Sequence, residues 1–554
     1  MRLIKNYYSN YFLFMIFKND VRKLPPYNFF CSMKKQFCVF FLCIIFNFQQ
    51  LIAQPKYEFR GVWVATVDNI DFPSSKLLST QQQKDEFIKL LDMHKRNGMN
   101  AVVVQIRPAS DAFYPSQYEP WSEFLTGKQG QPPSPYYDPL KFMITETHKR
   151  GMEFHAWMNP YRAEFQIGKS SISPDHITRL HPEWFINYGG VKYFDPGNKD
   201  AQAFVVNVVR DVVKRYDIDA IHFDDYFYPY RIAGKEFNDD ASFKKYGNGM
   251  SRDDWRRSNV DSIILHLSKA IKEENKYCQF GISPFGVWRN IDKDPEGSNT
   301  KAGQTNYDDL YADILLWLKN KWIDYVAPQL YWEIGQKVVG FKVLTDWWAN
   351  HTYGRQLYIG QGIYRAFEAR SYAWKNKNEL PDQIKYLRKY PQIQGSIFFS
   401  SSSFSSNPNG WSDSLRNNYY KYPAIPPPMP WIDSLKPESP VLLYDSSKST
   451  FVSTSLDLYF REKVKNDLIN RYVIYQFNDV NDMDQNDPKN IKEIILSGNN
   501  FYHFIFENIP DSQNKIIIAA TSLTRTNNES TLSRYIYLER KDNGWQIVAQ
   551  DDNK

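Results

Sequence analysis

The stretch Ile218-Asp219-Ala220-Ile221-His222-Phe223-Asp224-Asp225-Tyr226 decides the fold. Its middle is apolar on both phases of a strand, as expected where two faces are covered, and it ends abruptly in a carboxylate pair. Successive side chains of a strand point to opposite faces, so Ile221 and Phe223 share one side while Ala220, His222 and Asp224 share the other. Seven similar runs accompany it: Gly61–Val67, Asn100–Pro108 and Met152–Arg162 before it, and Gln279–Arg289, Ile323–Trp332, Gln356–Tyr364 and Ile393–Ser400 after it. Helical patterns separate them. Gln83–Asn97 carries Phe87, Leu90 and Leu91 on one face, and Ala203–Tyr216 carries Val205, Val208, Val209, Val212 and Val213. Ser258–Glu274, Asp309–Trp322 and Val339–Ala349 repeat the pattern. This alternation predicts an α/β protein whose residues 57–422 form a (β/α)8 TIM barrel. Long insertions at Ala109–Pro139, Glu164–Asp200 and Pro229–Arg257 follow the second, third and fourth strands, on the face where barrels carry their sites.

Residues 423–437 begin Pro423-Ala424-Ile425-Pro426-Pro427-Pro428-Met429-Pro430, an extended, semi-rigid linker. Beyond it, residues 438–554 hold short β-type runs (Leu456–Phe460, Arg471–Phe477, Phe501–Phe506, Lys515–Thr521, Tyr535–Glu539) and no long helical period. They predict an all-β sandwich of the fibronectin type III-like kind. At the other end, Met33-Lys34-Lys35, an apolar run Phe37–Phe46 and the small residue Ala53 have the order of a secretory signal peptide. The run is short for a membrane span, so the expectation is export to the periplasm or cell surface with no lasting membrane insertion, and a true start at Met33. Residues 1–53 are then an extension plus signal, and Cys43, preceded by Leu42, lacks the small neighbour a lipoprotein signal needs. The chain after the signal keeps only Cys278, which excludes an internal disulfide or a cysteine-based metal centre there.

Over 554 residues the chain is 42% hydrophobic and 23% charged, proportions that exclude wholesale disorder. A net charge of +6, dispersed among 68 basic and 62 acidic residues, gives no reason to expect a nucleic-acid partner. The 15 Trp, 38 Tyr and 38 Phe fit stacking on sugar faces, and they fit large cores equally well.

Period two then selects the site. Asp224 falls at the inward-facing end of the fourth strand, with Asp225 beside it. In the sixth strand, Gln329 and Tyr331 are in phase, Trp332 adjoins them, and Glu333 is carried to the same rim. The second strand offers Gln105 and Arg107; the third offers His155, Trp157 and Asn159; the fifth ends near Trp288; and Trp63 lies in the first. With His222 and Tyr226 these make a polar and aromatic rim suited to a hydroxyl-rich ligand, a polysaccharide or glycan strand. Cleaving a glycosidic bond takes a carboxylic acid and a second carboxylate. The expectation is Asp224 as nucleophile or base, Glu333 as acid, and Asp225 assisting. No Gly-x-Ser-x-Gly elbow, no His-x-His or His-Glu-x-x-His spacing and no phosphate-binding glycine fingerprint is present, so no cofactor and no metal are expected. Two rival readings remain: a non-catalytic glycan-binding barrel, and a carbohydrate de-N-acetylase using His155, His222 and Asp224.

Six segments in order carry a resemblance: Glu58–Val67, Asn100–Pro108, His155–Arg162, Ile221–Pro229, Gly281–Arg289 and Pro328–Trp332. Together, across residues 57–420, they resemble the glycosyl hydrolase-like 10 family of bacterial exported or lipid-anchored proteins. The resemblance implies a (β/α)8 glycosidase, with some members implicated in cutting peptidoglycan glycan strands stripped of their peptides, and an accessory β-sandwich. Related α-glycosidase barrels end this strand Gly-Phe-Arg-Leu-Asp; here Ala220-Ile221-His222-Phe223-Asp224 stands, with His222 in the arginine's place.

Overall fold

The computed structural model describes residues 54–368, 371–445, 450–462, 468–507 and 509–550. The export signal read from residues 1–53 lies outside them.

Eight parallel strands close into a barrel in sequence order: β1 (Phe59–Val64), β2 (Ala101–Arg107), β3 (Glu153–Met158), β4 (Ala220–Phe223), β5 (Gln279–Ile282), β6 (Tyr325–Val326), β7 (Gln356–Gly362) and β8 (Ile393–Phe399), which returns to β1. All eight runs read from the sequence are there. Several are shorter, for a local reason. Pro108, Pro160, Pro284 and Pro328 follow β2, β3, β5 and β6 within two residues, and a proline has no N–H to continue a ladder. After β3 the chain therefore leaves the barrel and builds a three-stranded sheet (Arg162–Glu164, Phe185–Tyr188, Val191–Phe194).

Helices cover the outside. Ser79 starts the helix Thr80–Arg96 with a reciprocal capping box to Gln82, and buried Phe87 and Leu91 seat it. The helix Lys199–Arg215, capped by Asn198, buries Val205, Val208, Val209, Val212 and Val213. Each valine removed from water contributes about 1.5–3 kcal/mol, far more than the propensity that β-branching forfeits. Inside the barrel sit Phe59, Trp63, Ala101, Val103, Trp157, Ala220, Tyr325, Tyr358 and Ile397, whereas Ile221 and Phe223 join the helix-layer core. The period-two division of β4 is the one observed.

Beyond the barrel, β9 (Val441–Tyr444), β11 (Ser455–Arg461) and β14 (Phe501–Ile505) form a three-stranded antiparallel sheet. A six-stranded antiparallel sheet runs in the order β10 (Phe451–Val452), β17 (Gly544–Gln550), β16 (Ile536–Lys541), β15 (Lys515–Thr524), β12 (Ile469–Phe477) and β13 (Ile491–Leu496). The two share a core in which Leu458, Phe460 and Phe504 meet Tyr472, Ile474, Ile516 and Ile518. The opposite face of the larger sheet is buried as well, with Val473, Tyr475, Ile517 and Ala519 packing with Ile425 and Tyr57.

That second face seats the sandwich on the barrel's N-terminal end. Glu529 accepts from Tyr57 Oη at 2.7 Å and pairs with Lys56, while Asn527 Nδ2 donates to Glu153 Oε1 at 2.9 Å. The proline-rich segment is part of this seal and not a spacer. Ile425 exchanges backbone hydrogen bonds with Lys56 and Glu58, Met429 is buried in the barrel's interior cluster, and Trp431 Nε1 donates to Asp324 at 3.0 Å. Its apolar side chains stop the open end of the barrel, and its fixed φ angles reduce the entropy that ordering would cost. Among the described residues no helix is long and apolar enough to cross a membrane.

Candidate active site

At the barrel's C-terminal face lies a cavity of about 320 Å³, at the lower end of ligand-site sizes. Trp63, Gln105, Trp157, Asp224, Asp225, Tyr226, Gln329 and Tyr331 line it, as the sequence led us to expect. The backbone brings them together by register: Trp157 of β3 is level with His222 of β4, which is level with Gly281 of β5. One step beyond β4 the ladder has ended, and the bend at Asp225 turns both carboxylates onto the same cavity.

Asp224 is held from two sides. Trp157 Nε1 donates to it at 3.0 Å, and Asn159 Nδ2 reaches both its oxygens, at 3.0 and 3.2 Å. Burial raises its pKa; the Arg162 charge and these hydrogen bonds pull in the opposite direction and favour the carboxylate. Asp225 differs. Burial, and then the charge of Asp224 beside it, push its carboxyl up to about 7, against the hydrogen bond it receives from Tyr230. Two adjacent buried acids cannot both ionise cheaply, so near neutrality the pair holds one proton, and Asp225 is the better place for it.

Around the pair, Gln105 Oε1 accepts from the backbone N–H of Thr66 (3.1 Å) and Val67 (2.9 Å), leaving its Nε2 without a protein partner at the cavity wall. Gln329 Nε2 donates to the Ser283 carbonyl at 2.9 Å. Arg162, whose guanidinium lies 4.7 Å from the Tyr226 ring centre, adds a positive charge.

Other expectations need correcting. Glu333 does not line the cavity. It is half-buried, and its carboxylate accepts from Trp374 Nε1 at 3.2 Å. The chain bends at Trp332 and turns at Ile334 and Gly335, so the alternation that brings Gln329 and Tyr331 to the cavity breaks down at Glu333. Arg107 is also absent from the cavity lining. Its guanidinium is buried against Glu119 (2.8 and 2.9 Å from Nε) and donates to the Asn159 carbonyl, so it braces the residue that holds Asp224. Asn159 acts from behind Asp224, outside the lining. Trp288 belongs to the outer core, stacked 6.0 Å from Trp347, and Trp332 stands edge-on to Phe285 at 5.6 Å; neither lines the cavity.

His155 and His222 lie below the cavity floor, both hydrogen-bonded to Tyr325 Oη. Among the described residues no group of three or more His, Cys, Asp or Glu side chains is gathered to hold a metal.

Arg162, Ser283, Tyr364 and Phe399 line the cavity without having been singled out. Phe399 continues the phase of Ile397 in β8, so the rule used on the fourth strand would have found it; Tyr364 stands in the short 3-10 helix Ile363–Phe367 beyond β7, where alternation does not reach. Ser283 lies just past the end of β5 and Arg162 opens the first strand of the three-stranded sheet outside the barrel, so barrel alternation marks neither.

The fold and this rim define a (β/α)8 barrel with a carboxylate-bearing cavity on its C-terminal face. The model of the family glycosyl hydrolase-like 10 matches residues 58–376, more than half of the chain, and the protein belongs to that family. Glycosyl hydrolase YngK of Bacillus subtilis is 50% identical over 395 residues, covering 70% of this chain and 77% of the relative. Glycosyl hydrolase DigH of Escherichia coli K12 is 36% identical over 370 residues, covering 62% and 83%. Among solved structures, the glycoside hydrolase domain of PgaB (BpsB) from Bordetella bronchiseptica aligns with 65% of this chain and 98% of its own at a TM-score of 0.42 and 14% identity.

Proposed function

We propose that the protein is an exported glycoside hydrolase that cuts O-glycosidic bonds in an envelope polysaccharide, with peptide-free peptidoglycan strands the first substrate to try. The observation that carries this reading is the Asp224–Asp225 pair on one cavity, in which one carboxyl keeps its proton to about pH 7 beside an anchored carboxylate.

Asp225 gives its proton to the leaving glycosidic oxygen. Asp224, steadied by Trp157, Asn159 and Arg162, meets the positive charge that grows on the anomeric carbon, either by attacking it or by drawing a proton from the incoming water. The acid role thus moves from Glu333 to Asp225. Trp63, Trp157, Tyr226 and Tyr331 offer apolar ring surface to a sugar. Kinship with proteins named as glycosyl hydrolases supports the reaction class. Export is supported by the basic, apolar and small-residue order over residues 33–53. The C-terminal module is read as an accessory, fibronectin type III-like sandwich, supported by its two antiparallel sheets around a shared core.

The test is incubation with peptide-free glycan strands and a panel of other glycans, followed by mass spectrometry. Shortened saccharides are expected from the wild type, and far slower release of them from Asp225→Asn. Oligosaccharide binding without any product would overturn the enzymatic reading in favour of a glycan-binding barrel, and acetate release without chain cleavage would replace it with de-N-acetylation.

A further inference from the structure

A file of buried polar groups runs down the barrel axis and has no part in the chemistry above. Ser283 lines the cavity, its Oγ is 2.9 Å from His222 Nε2, and His222 Nδ1 is 2.8 Å from Tyr325 Oη. Tyr325 Oη is in turn 2.9 Å from His155 Nδ1, and His155 Nε2 is 3.1 Å from Glu153 Oε2. All five residues are buried to within 2% exposure, so water does not compete for these bonds. Room for the tyrosine ring between the histidines comes from Gly281, which pairs in register with both His222 and Tyr325; a Cβ there would fall inside the ring.

The two ends settle where every proton lies. Trp63 Nε1, which can only donate, points at His222 Nε2 from 3.2 Å, so that nitrogen carries no hydrogen. The neutral ring then has its proton on Nδ1 and donates to Tyr325 Oη. Tyr325 has one proton, and the remaining partner of its oxygen is His155 Nδ1, so it donates there. His155 must then carry its hydrogen on Nε2, facing the Glu153 carboxylate. The opposite order would set Trp63 N–H against an imidazole N–H at the top. The single lone pair of His222 Nε2 is shared between Trp63 N–H and the Ser283 hydroxyl at 2.9 Å, with the Phe223 carbonyl at 3.4 Å as the hydroxyl's second acceptor, so in either case Ser283 donates into the protein.

We propose that this relay makes Ser283 a hydrogen-bond acceptor toward the cavity, so that the site selects a ligand group that donates a proton, a sugar hydroxyl or an amide N–H. Ser283 is the residue that touches the ligand; His222, Tyr325, His155 and Glu153 are positioning residues. The relay's lower end is held by the C-terminal sandwich, whose Asn527 Nδ2 donates to the other oxygen of Glu153 at 2.9 Å. The sandwich thereby takes part in setting the floor of a cavity it does not line. This inference rests on the proposed function for its choice of ligand, but the proton order can be read without any turnover.

Neutron diffraction from deuterium-exchanged crystals of the full chain is expected to show deuterium on His222 Nδ1, Tyr325 Oη and His155 Nε2, with His222 Nε2 bare. Deuterium on His222 Nε2 would overturn the relay whatever the enzyme cleaves. Kinetics on peptide-free glycan strands supply the second reading. Tyr325→Phe, which removes one hydroxyl, is expected to lower kcat/KM about 10-fold, and Ser283→Ala by about as much. The double variant should be no worse than Ser283→Ala alone, since both act through one contact. Losses that multiply would mean Tyr325 acts on the fold and not through Ser283, and would end the proposal. A wild type inert on these strands counts against the proposed function only, because the neutron map decides the relay independently.

Discussion

At the residue scale, the chemistry rests on the unequal environments of two neighbouring acids. Asp225 titrates in the folded protein at about 7, against an ordinary value of 3.8. Between those values the folded chain keeps a proton that the unfolded chain has released. Stability from this group is therefore greatest below about pH 4 and is lost as pH rises through 7. Asp225→Asn removes that dependence. Its melting temperature is expected to exceed that of the wild type at pH 8 and to match it near pH 4, with turnover about 10²–10⁴-fold lower. Activity of the wild type should fall above about pH 7, as the proton needed by the leaving oxygen is lost; a basic limb that survives unchanged in another carboxylate variant but vanishes in Asp225→Asn would assign it. Asp224→Asn is expected to lower kcat about 10³-fold or more at an undiminished melting temperature.

At the scale of elements, the decisive features are the points where strands stop. The prolines that end β2, β3, β5 and β6 release the chain into loops at one face, and what those loops enclose depends on braces behind them. Arg107 is the clearest brace: at the end of β2 it pairs with Glu119 from the following loop and fixes the turn that carries Asn159. Removing one partner of such a buried pair leaves a charge without compensation. Arg107→Met is expected to cost about 3–5 kcal/mol in urea unfolding, where a surface ion pair would cost under about 1. Replacing both partners with apolar residues of similar size should recover most of it. Gly281→Ala tests the strand interior: the methyl group would displace the Tyr325 ring, so both stability and activity are expected to fall together.

At the scale of the whole molecule, barrel and sandwich form one body from Gln54 onward. The seam contains an apolar sheet face, the Lys56–Glu529 and Lys95–Glu493 pairs and the proline-rich plug. Calorimetry of the full chain is expected to show one cooperative transition and not two. Truncation after residue 437 should yield a barrel that melts lower and aggregates, because Ile425, Tyr57 and the Glu153 carboxylate would lose their cover. The signal for this docking was present in the sequence. Tyr472-Val473-Ile474-Tyr475 and Ile516-Ile517-Ile518-Ala519-Ala520 are apolar on both phases, whereas a sandwich strand with one wet face would alternate. Reading them as ordinary sandwich strands missed their second face.

Local patterns were enough to establish eight strands in order, the helix layer, the inward set Ala220, His222 and Asp224, and the family. Each depends on backbone periodicity or on a short run of neighbours, and both are written along the chain. Glu333, Arg107 and Trp288 were misjudged because periodicity has no meaning once the ladder ends, and because a strand-end side chain can be claimed by a partner from another loop. The unequal proton affinities of the neighbours Asp224 and Asp225 come from their burial, and the file from Ser283 to Glu153 arises where barrel closure brings side chains from different strands within about 3 Å of each other. Burial then fixes their protons, and burial is a property of the assembled core that no stretch of sequence carries alone.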